Sequence, residues 1–173
     1  MKKWFADFIK KLVEAAANWI EKCIPVYDPG IWNNNASIML TNNCYNYGCD
    51  IQTNTFAQPG RAHGIIVTRS DLINCEKVHS AALADGLKDV DCDKGCGCEK
   101  CQHQVALVVS PSWDYHWYRK DRDGKWSHKM GNTPATNLDN SGNVITDPRT
   151  ANRGSYTIFC GCFCVDKSMV TIS

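Results

Sequence analysis

Eleven cysteines in 173 residues constrain this chain more than any other feature. They stand at 23, 44, 49, 75, 92, 96, 98, 101, 160, 162 and 164. Such a chain is stapled by disulfides in an oxidising compartment, or binds a metal, or does both. The odd number leaves at least one thiol over from complete intramolecular pairing. Cys160, Cys162 and Cys164 alternate along a predicted strand, so their side chains point the same way. That row can pair with the insertion holding Cys92, Cys96, Cys98 and Cys101. The same four insertion cysteines, spaced C-x3-C-x-C-x2-C, have zinc binding as their alternative. No other cofactor is implied. The cysteine count favours an extracellular location, although no signal peptide is recognisable: Asp7, Lys10, Lys11 and Glu14 break any apolar run.

Composition narrows the class. Hydrophobic residues are 43% and charged residues 21%, which suits a globular domain with a sizeable core. A net charge of +1 argues against a general electrostatic nucleic-acid binder. No apolar run approaches the 18 or so residues that a membrane span requires.

The first 24 residues have helical period. Trp4, Phe5, Phe8, Leu12, Val13, Ala16, Trp19 and Ile20 share a face, predicting an amphipathic helix over about 3–22, ended by Pro25. That face docks on the domain, or meets a membrane surface or a partner protein. Residues 25–35, rich in Pro, Gly and Asn, read as a linker, and 36–173 as one domain. Within it, Asn42 or Asn43 caps a short helix, GIIVT reads as a strand, and SDLINCEKVHSAALADGL reads as a helix capped by Ser70. HQVALVVS and YHWYRKD form a hairpin across SPSWD, GKWSHK adds a third strand, and SYTIFCGCFCV is the last. Helices followed by an antiparallel sheet make the fold class α+β.

A cysteine at a helix start is a candidate nucleophile, because orphan N–H groups and the helix dipole favour its thiolate. Cys44 holds that position. Its base would be an imidazole on a neighbouring strand: His103 starts the most apolar strand, and His116, across the hairpin, is placed to orient it. Asn42 and Gln58 are candidates for an oxyanion hole. The bland alternatives are a disulfide or a buried thiol for Cys44, and a satisfied strand-end histidine for His103. Asp121-Arg122-Asp123-Gly124 reads as a turn, since no Glu closes a calcium loop.

NCYNYG resembles the nucleophile motif of CHAP amidases, and HQVALVV their histidine strand, with Gln104 as an added residue. The order of Cys, His and a further polar group also resembles NlpC-type peptidases. This resemblance implies a papain-like fold and a cysteine-dependent hydrolase, a thiol protease or amidase, acting on a peptide or peptidoglycan-like substrate. TNTFAQPGRAHG, YHWYRKDRDGKWSHKMGNTPATNLDNSG and FCGCFCV are similar to insoluble matrix shell protein sequences. That second resemblance implies a shared domain and no chemistry. It supports the other function class: a secreted, disulfide-stapled structural or binding protein, with a membrane-active toxin as a third.

Overall fold

The computed structural model describes residues 2–93, 98 and 101–173. Among them run α1 (Lys2–Cys23), α2 (Gly30–Asn33), α3 (Ala36–Thr41), α4 (Cys44–Cys49) and α5 (Glu76–Ala84). The strands are β1 (Lys88–Val90), β2 (His103–Ser110), β3 (Asp114–Lys120), β4 (Trp126–Lys129), β5 (Ala135–Thr136) and β6 (Ile158–Val165). They form one antiparallel sheet in the order β1-β6-β2-β3-β4-β5. The class is α+β, as expected.

Alternation divides the sheet into two faces. Val105, Leu107, Val109, Tyr115, Trp117 and Phe163 face the helices and pack with Cys44 and Tyr45 of α4 and Val78 and Ala82 of α5. Ala106, Val108, Tyr118, Trp126 and Cys162 face the other way, toward Ile145 and Tyr156 of the 130–157 segment. Helix α4 lies directly on β3: a Cβ added at Gly48 would meet the Trp117 Cβ at 3.3 Å. Arg119, 1% exposed, locks the far end of α4. It reaches Asp121 at 2.9 Å, Asp50 at 3.0 Å and the Tyr47 hydroxyl at 3.0 Å, with its guanidinium 4.1 Å above the Tyr47 ring.

Strand β6 carries the staples. Cys75–Cys160, Cys92–Cys162 and Cys98–Cys164 are disulfides, so the 92–101 insertion is tied to the last strand. The three cysteines do not share a face, however. The register of β6 on β2 shifts between Leu107 and Val108, where Leu107 opposes Gly161 and Val108 opposes Phe159. The bulge leaves Cys160 without a partner on β2, and it packs on the helix side while Cys162 packs on the other. Gly161 takes a φ of 126°, a conformation that suits glycine.

Other expectations change. GIIVT is not a strand: Ile66 is 75% exposed, and Ile65 N–H closes a turn onto the Gly60 carbonyl. The internal helix begins at Glu76, not Ser70. Upstream, the Asp71 carboxylate accepts from Thr68 N–H at 2.7 Å and holds a separate turn, and Cys75 is drawn to Cys160. Residues 25–35 are no free tether. Trp32, 2% exposed, is buried against Tyr47 and Ala135, and Asn33 and Ala135 exchange side-chain-to-backbone bonds of 3.1 and 2.7 Å. Near the N-terminus, Trp4, Phe5, Phe8, Ile9, Leu12 and Val13 of α1 are all exposed. No described helix is long and apolar enough to cross a membrane.

Candidate functional site

Cys44 opens α4 behind a reciprocal cap. Asn43 Oδ1 accepts from Tyr45 N–H at 3.0 Å and Asn46 N–H at 3.1 Å, while Asn46 Oδ1 accepts from Asn43 N–H at 3.1 Å. Cys44 thus stands in the first turn of the helix that Asn43 caps. Lys129, with no exposed surface, secures the approach to this cap. Its Nζ donates to the carbonyls of Met39 at 2.5 Å, Asn42 at 2.6 Å and Gly131 at 2.7 Å. Those carbonyls include orphan acceptors at the end of α3, which have no partner within the helix.

The ionisation of Cys44 differs from expectation. Burial, with Asp114 nearby adding to it, pushes the thiol up to about 12. The backbone N–H groups of Trp117, Cys44 and Tyr45 act in the opposite direction and lose. A six-residue helix offers a weak field, and a residue only 6% exposed is desolvated, so the group is a neutral thiol at physiological pH. Cys44 and Cys49 are both free and buried, so neither pairs with the other.

His103 is not the base for Cys44. It lies beside the opposite end of α4, where its Nε2 donates to the Gly48 carbonyl at 2.7 Å. Its Nδ1 is buried without a partner, and burial takes the imidazole down to about 4. The four-residue offset from Cys44 to Gly48 is about 6 Å of helix rise, beyond hydrogen-bond reach. The imidazole that shares a cavity with Cys44 is that of His116, which is bonded to His128, a residue that no motif in the sequence marks.

His116 and His128 form a chain whose proton positions follow from its end. His128 Nε2 lies 3.0 Å from the Leu138 carbonyl, which can only accept, so that nitrogen carries the hydrogen. His128 Nδ1 is then a bare acceptor, and His116 Nε2, 2.8 Å away, must donate to it. The Nδ1 of His116 is left as a lone pair. Burial, and then His128, holds the His116 pKa well below the ordinary histidine value, so the imidazole is neutral.

His116 and Cys44 line one cavity of about 70 Å³, together with Asn43, Phe56, Gln58, Asp114, Tyr115, Gly131 and Tyr156. They reach it from different directions. Tyr115 and Trp117 face the helices, whereas His116 packs with Tyr118, His128 and Tyr156 on the other side of the strand. Tyr118 opposes His128 and β4 ends at Lys129, so the position opposite His116 lies beyond the strand. No hydrogen bond joins Cys44 to an imidazole among the described residues. Gln58 stands at the cavity, its Oε1 accepting from the Tyr115 hydroxyl at 2.5 Å. Asn42 does not: its amide is occupied by the Ile38 carbonyl and Asn54, each at 2.9 Å, in holding the end of α3.

The zinc alternative loses its ligands. Cys92, Cys98 and Cys101 are in disulfides, so three of the four candidate thiolates are already bonded to sulfur. Cys96 lies outside the described residues.

No family model matches the chain, and no solved structure matches it. A curated relative does: insoluble matrix shell protein 1 of Ruditapes philippinarum, 49% identical over 140 residues, covering 80% of this chain and 88% of the relative. This chain belongs to the insoluble matrix shell protein 1 family. The family membership overturns the hydrolase, thiol protease and amidase reading drawn from the CHAP and NlpC resemblance, because this relative is named for an insoluble shell matrix. The second resemblance noted in the sequence, to insoluble matrix shell proteins, is the correct one.

Proposed function

We propose that this chain is a secreted, disulfide-stapled structural protein that assembles with other proteins in an insoluble extracellular matrix. One observation carries the reading: β6 is bonded through three disulfides to two segments, the start of α5 and the 92–101 insertion, on both faces of the sheet. Disulfides of this density persist in oxidising, extracellular surroundings and resist unfolding when chaperones are absent. Kinship with a shell matrix protein supplies the setting. Fractionation of the source organism's extracellular material tests it. The chain is expected in the fraction that salt and detergent leave behind, with its disulfides intact. Recovery from the cytosol with free thiols overturns the reading.

A second reading rests on the cavity. The helix α4 set against β2 and β3 is taken as a papain-like arrangement in which Cys44 accepts an acyl group, His116 receives the thiol proton on Nδ1, and His128 orients His116. His116, whose Nδ1 is left bare, lines the same cavity as Cys44, and that is the observation that favours it. An activated acyl probe should form a thioester at Cys44 in the full chain. His128→Asn should shift the pH profile of that reaction, because it changes the tautomer that His116 is held in. Failure of the probe to acylate Cys44 removes this reading and leaves the structural one untouched.

A further inference from the structure

A second cavity, of about 300 Å³, has Gln58, Arg69, Leu72, Trp113, Asp114 and Tyr115 among its lining residues. It shares Gln58, Asp114 and Tyr115 with the Cys44 cavity, so the two meet along those three residues. Its wall is the tip of the β2–β3 hairpin, where Ser112 takes a φ of 56° and its N–H bonds to the Leu72 carbonyl at 2.9 Å. That tie between two chain segments presents Trp113, 59% exposed, to solvent.

Resting on the reading of Cys44 as an acyl acceptor, we propose that this groove admits a lysine side chain of a neighbouring matrix protein, and that the acyl group passes from Cys44 to its amine. Two features define the ligand. Trp113, which holds the Arg69 guanidinium 4.4 Å above its ring, and Tyr115 provide aromatic surface for an aliphatic stem. At the junction of the two cavities stands the carboxylate of Asp114, which accepts from Tyr115 N–H at 2.8 Å and the Tyr156 hydroxyl at 2.9 Å. Asp114 has no ion pair among the described residues, so an ammonium group is its complement.

The chemistry balances without an oxidant. His116 Nδ1 takes the Cys44 proton as sulfur bonds to the carbon of a glutamine carboxamide. The carbon–nitrogen bond then breaks, and ammonia leaves with that proton, giving a thioester. The lysine ammonium loses a proton to solvent at the groove, and its nitrogen attacks the thioester. The second N–H proton passes through His116 to sulfur as the carbon–sulfur bond breaks. The products are an amide cross-link between two chains, one ammonia and a restored Cys44 thiol.

The test uses the full oxidised chain, a glutamine-containing peptide and a dansylated alkylamine. Expected is Cys44-dependent incorporation of the amine into the peptide, abolished in Cys44→Ser. His116→Ala should lower the rate by about 10²-fold or more. Asp114→Asn should raise the KM for the amine about fivefold, as loss of one exposed ion pair implies. Retention of the oxidised disulfide pattern and melting temperature in each variant excludes misfolding. Conversion of the glutamine to glutamate with no amine incorporated overturns the transfer proposal but keeps the acyl-acceptor reading. Absence of any acyl group on Cys44, even from an activated ester, overturns both.

Discussion

Three buried basic side chains carry much of the local logic. His103 is the most sensitive to mild acid. Its pKa of about 4 lies below the ordinary 6.5, so between those values the unfolded chain binds more protons than the folded one. Its contribution is present above pH 6.5 and is lost as pH falls toward 4. The full loss is about 3 kcal/mol. His103→Gln is expected to flatten the stability profile over that window, which urea titrations at stepped pH would measure. Lys129 works in another range. Burial lowers it from 10.5 to about 8, so the unfolded chain again binds the extra proton, and stability should rise between pH 8 and 10.5. Lys129→Met should lack that rise. It should also lose about 3 kcal/mol at neutral pH, because three carbonyls lose their donor. A melting series on both proteins checks the sign. Arg119 differs from these two: its guanidinium is held by Asp50, Asp121 and Tyr47 together, so it acts as a fixed bolt.

Among the elements, β6 has the largest effect on the whole. It sits between β1 and β2, and its sulfurs reach both faces. The bulge at Cys160 makes this possible, since strict alternation would send all three cysteines to one side. Cys75→Ala with Cys160→Ala should therefore free the start of α5 from the sheet while leaving the opposite-face bridges. The bond closes a separation of 85 residues, so its removal is expected to cost about 2–5 kcal/mol. Hydrogen exchange should show the loss concentrated in residues 68–84. Uniform loss across the sheet would mean that the bridge supports the sheet and not the helix alone. The β2–β3 hairpin contributes differently. Its tip shapes the groove beside Asp114, while its strands supply the faces against which α4 and Tyr156 pack.

At the scale of the molecule, α1 stands apart. Its apolar side chains from Trp4 to Val13 are exposed, whereas the segment after it is tied down through the Pro25 carbonyl, which accepts from Arg122 N–H at 2.8 Å. Removing residues 1–14 should leave the melting temperature within about 2 °C, because the apolar side chains from Trp4 to Val13 are not in the core. The same truncation should reduce self-association, read by sedimentation, because six exposed apolar side chains are deleted. A drop in melting temperature comparable to the loss of a core residue would place the helix against the domain.

The sequence by itself determined what local chemistry controls. Periodicity placed α1, the Asn-rich stretch placed the cap in front of Cys44, apolar runs and turn residues placed β2, β3, β4 and β6, and the cysteine clusters pointed to one another. It also carried the kinship that names the family. Only the tertiary structure decided matters of register and burial. One bulge reversed the side of Cys160. Desolvation overruled the helix start at Cys44. The fit of α4 on β2 put His103 beside Gly48, four residues from the thiol. The pairing of His116 with His128 is partly legible, since 12 residues separate them across a turn between predicted strands. That Nδ1 is the nitrogen left bare depends on the Leu138 carbonyl, in a polar loop with no pattern to place it. Spacing fixes which residues share an element. Which groups lose water, and which end of a helix meets which strand, are properties of the packed whole.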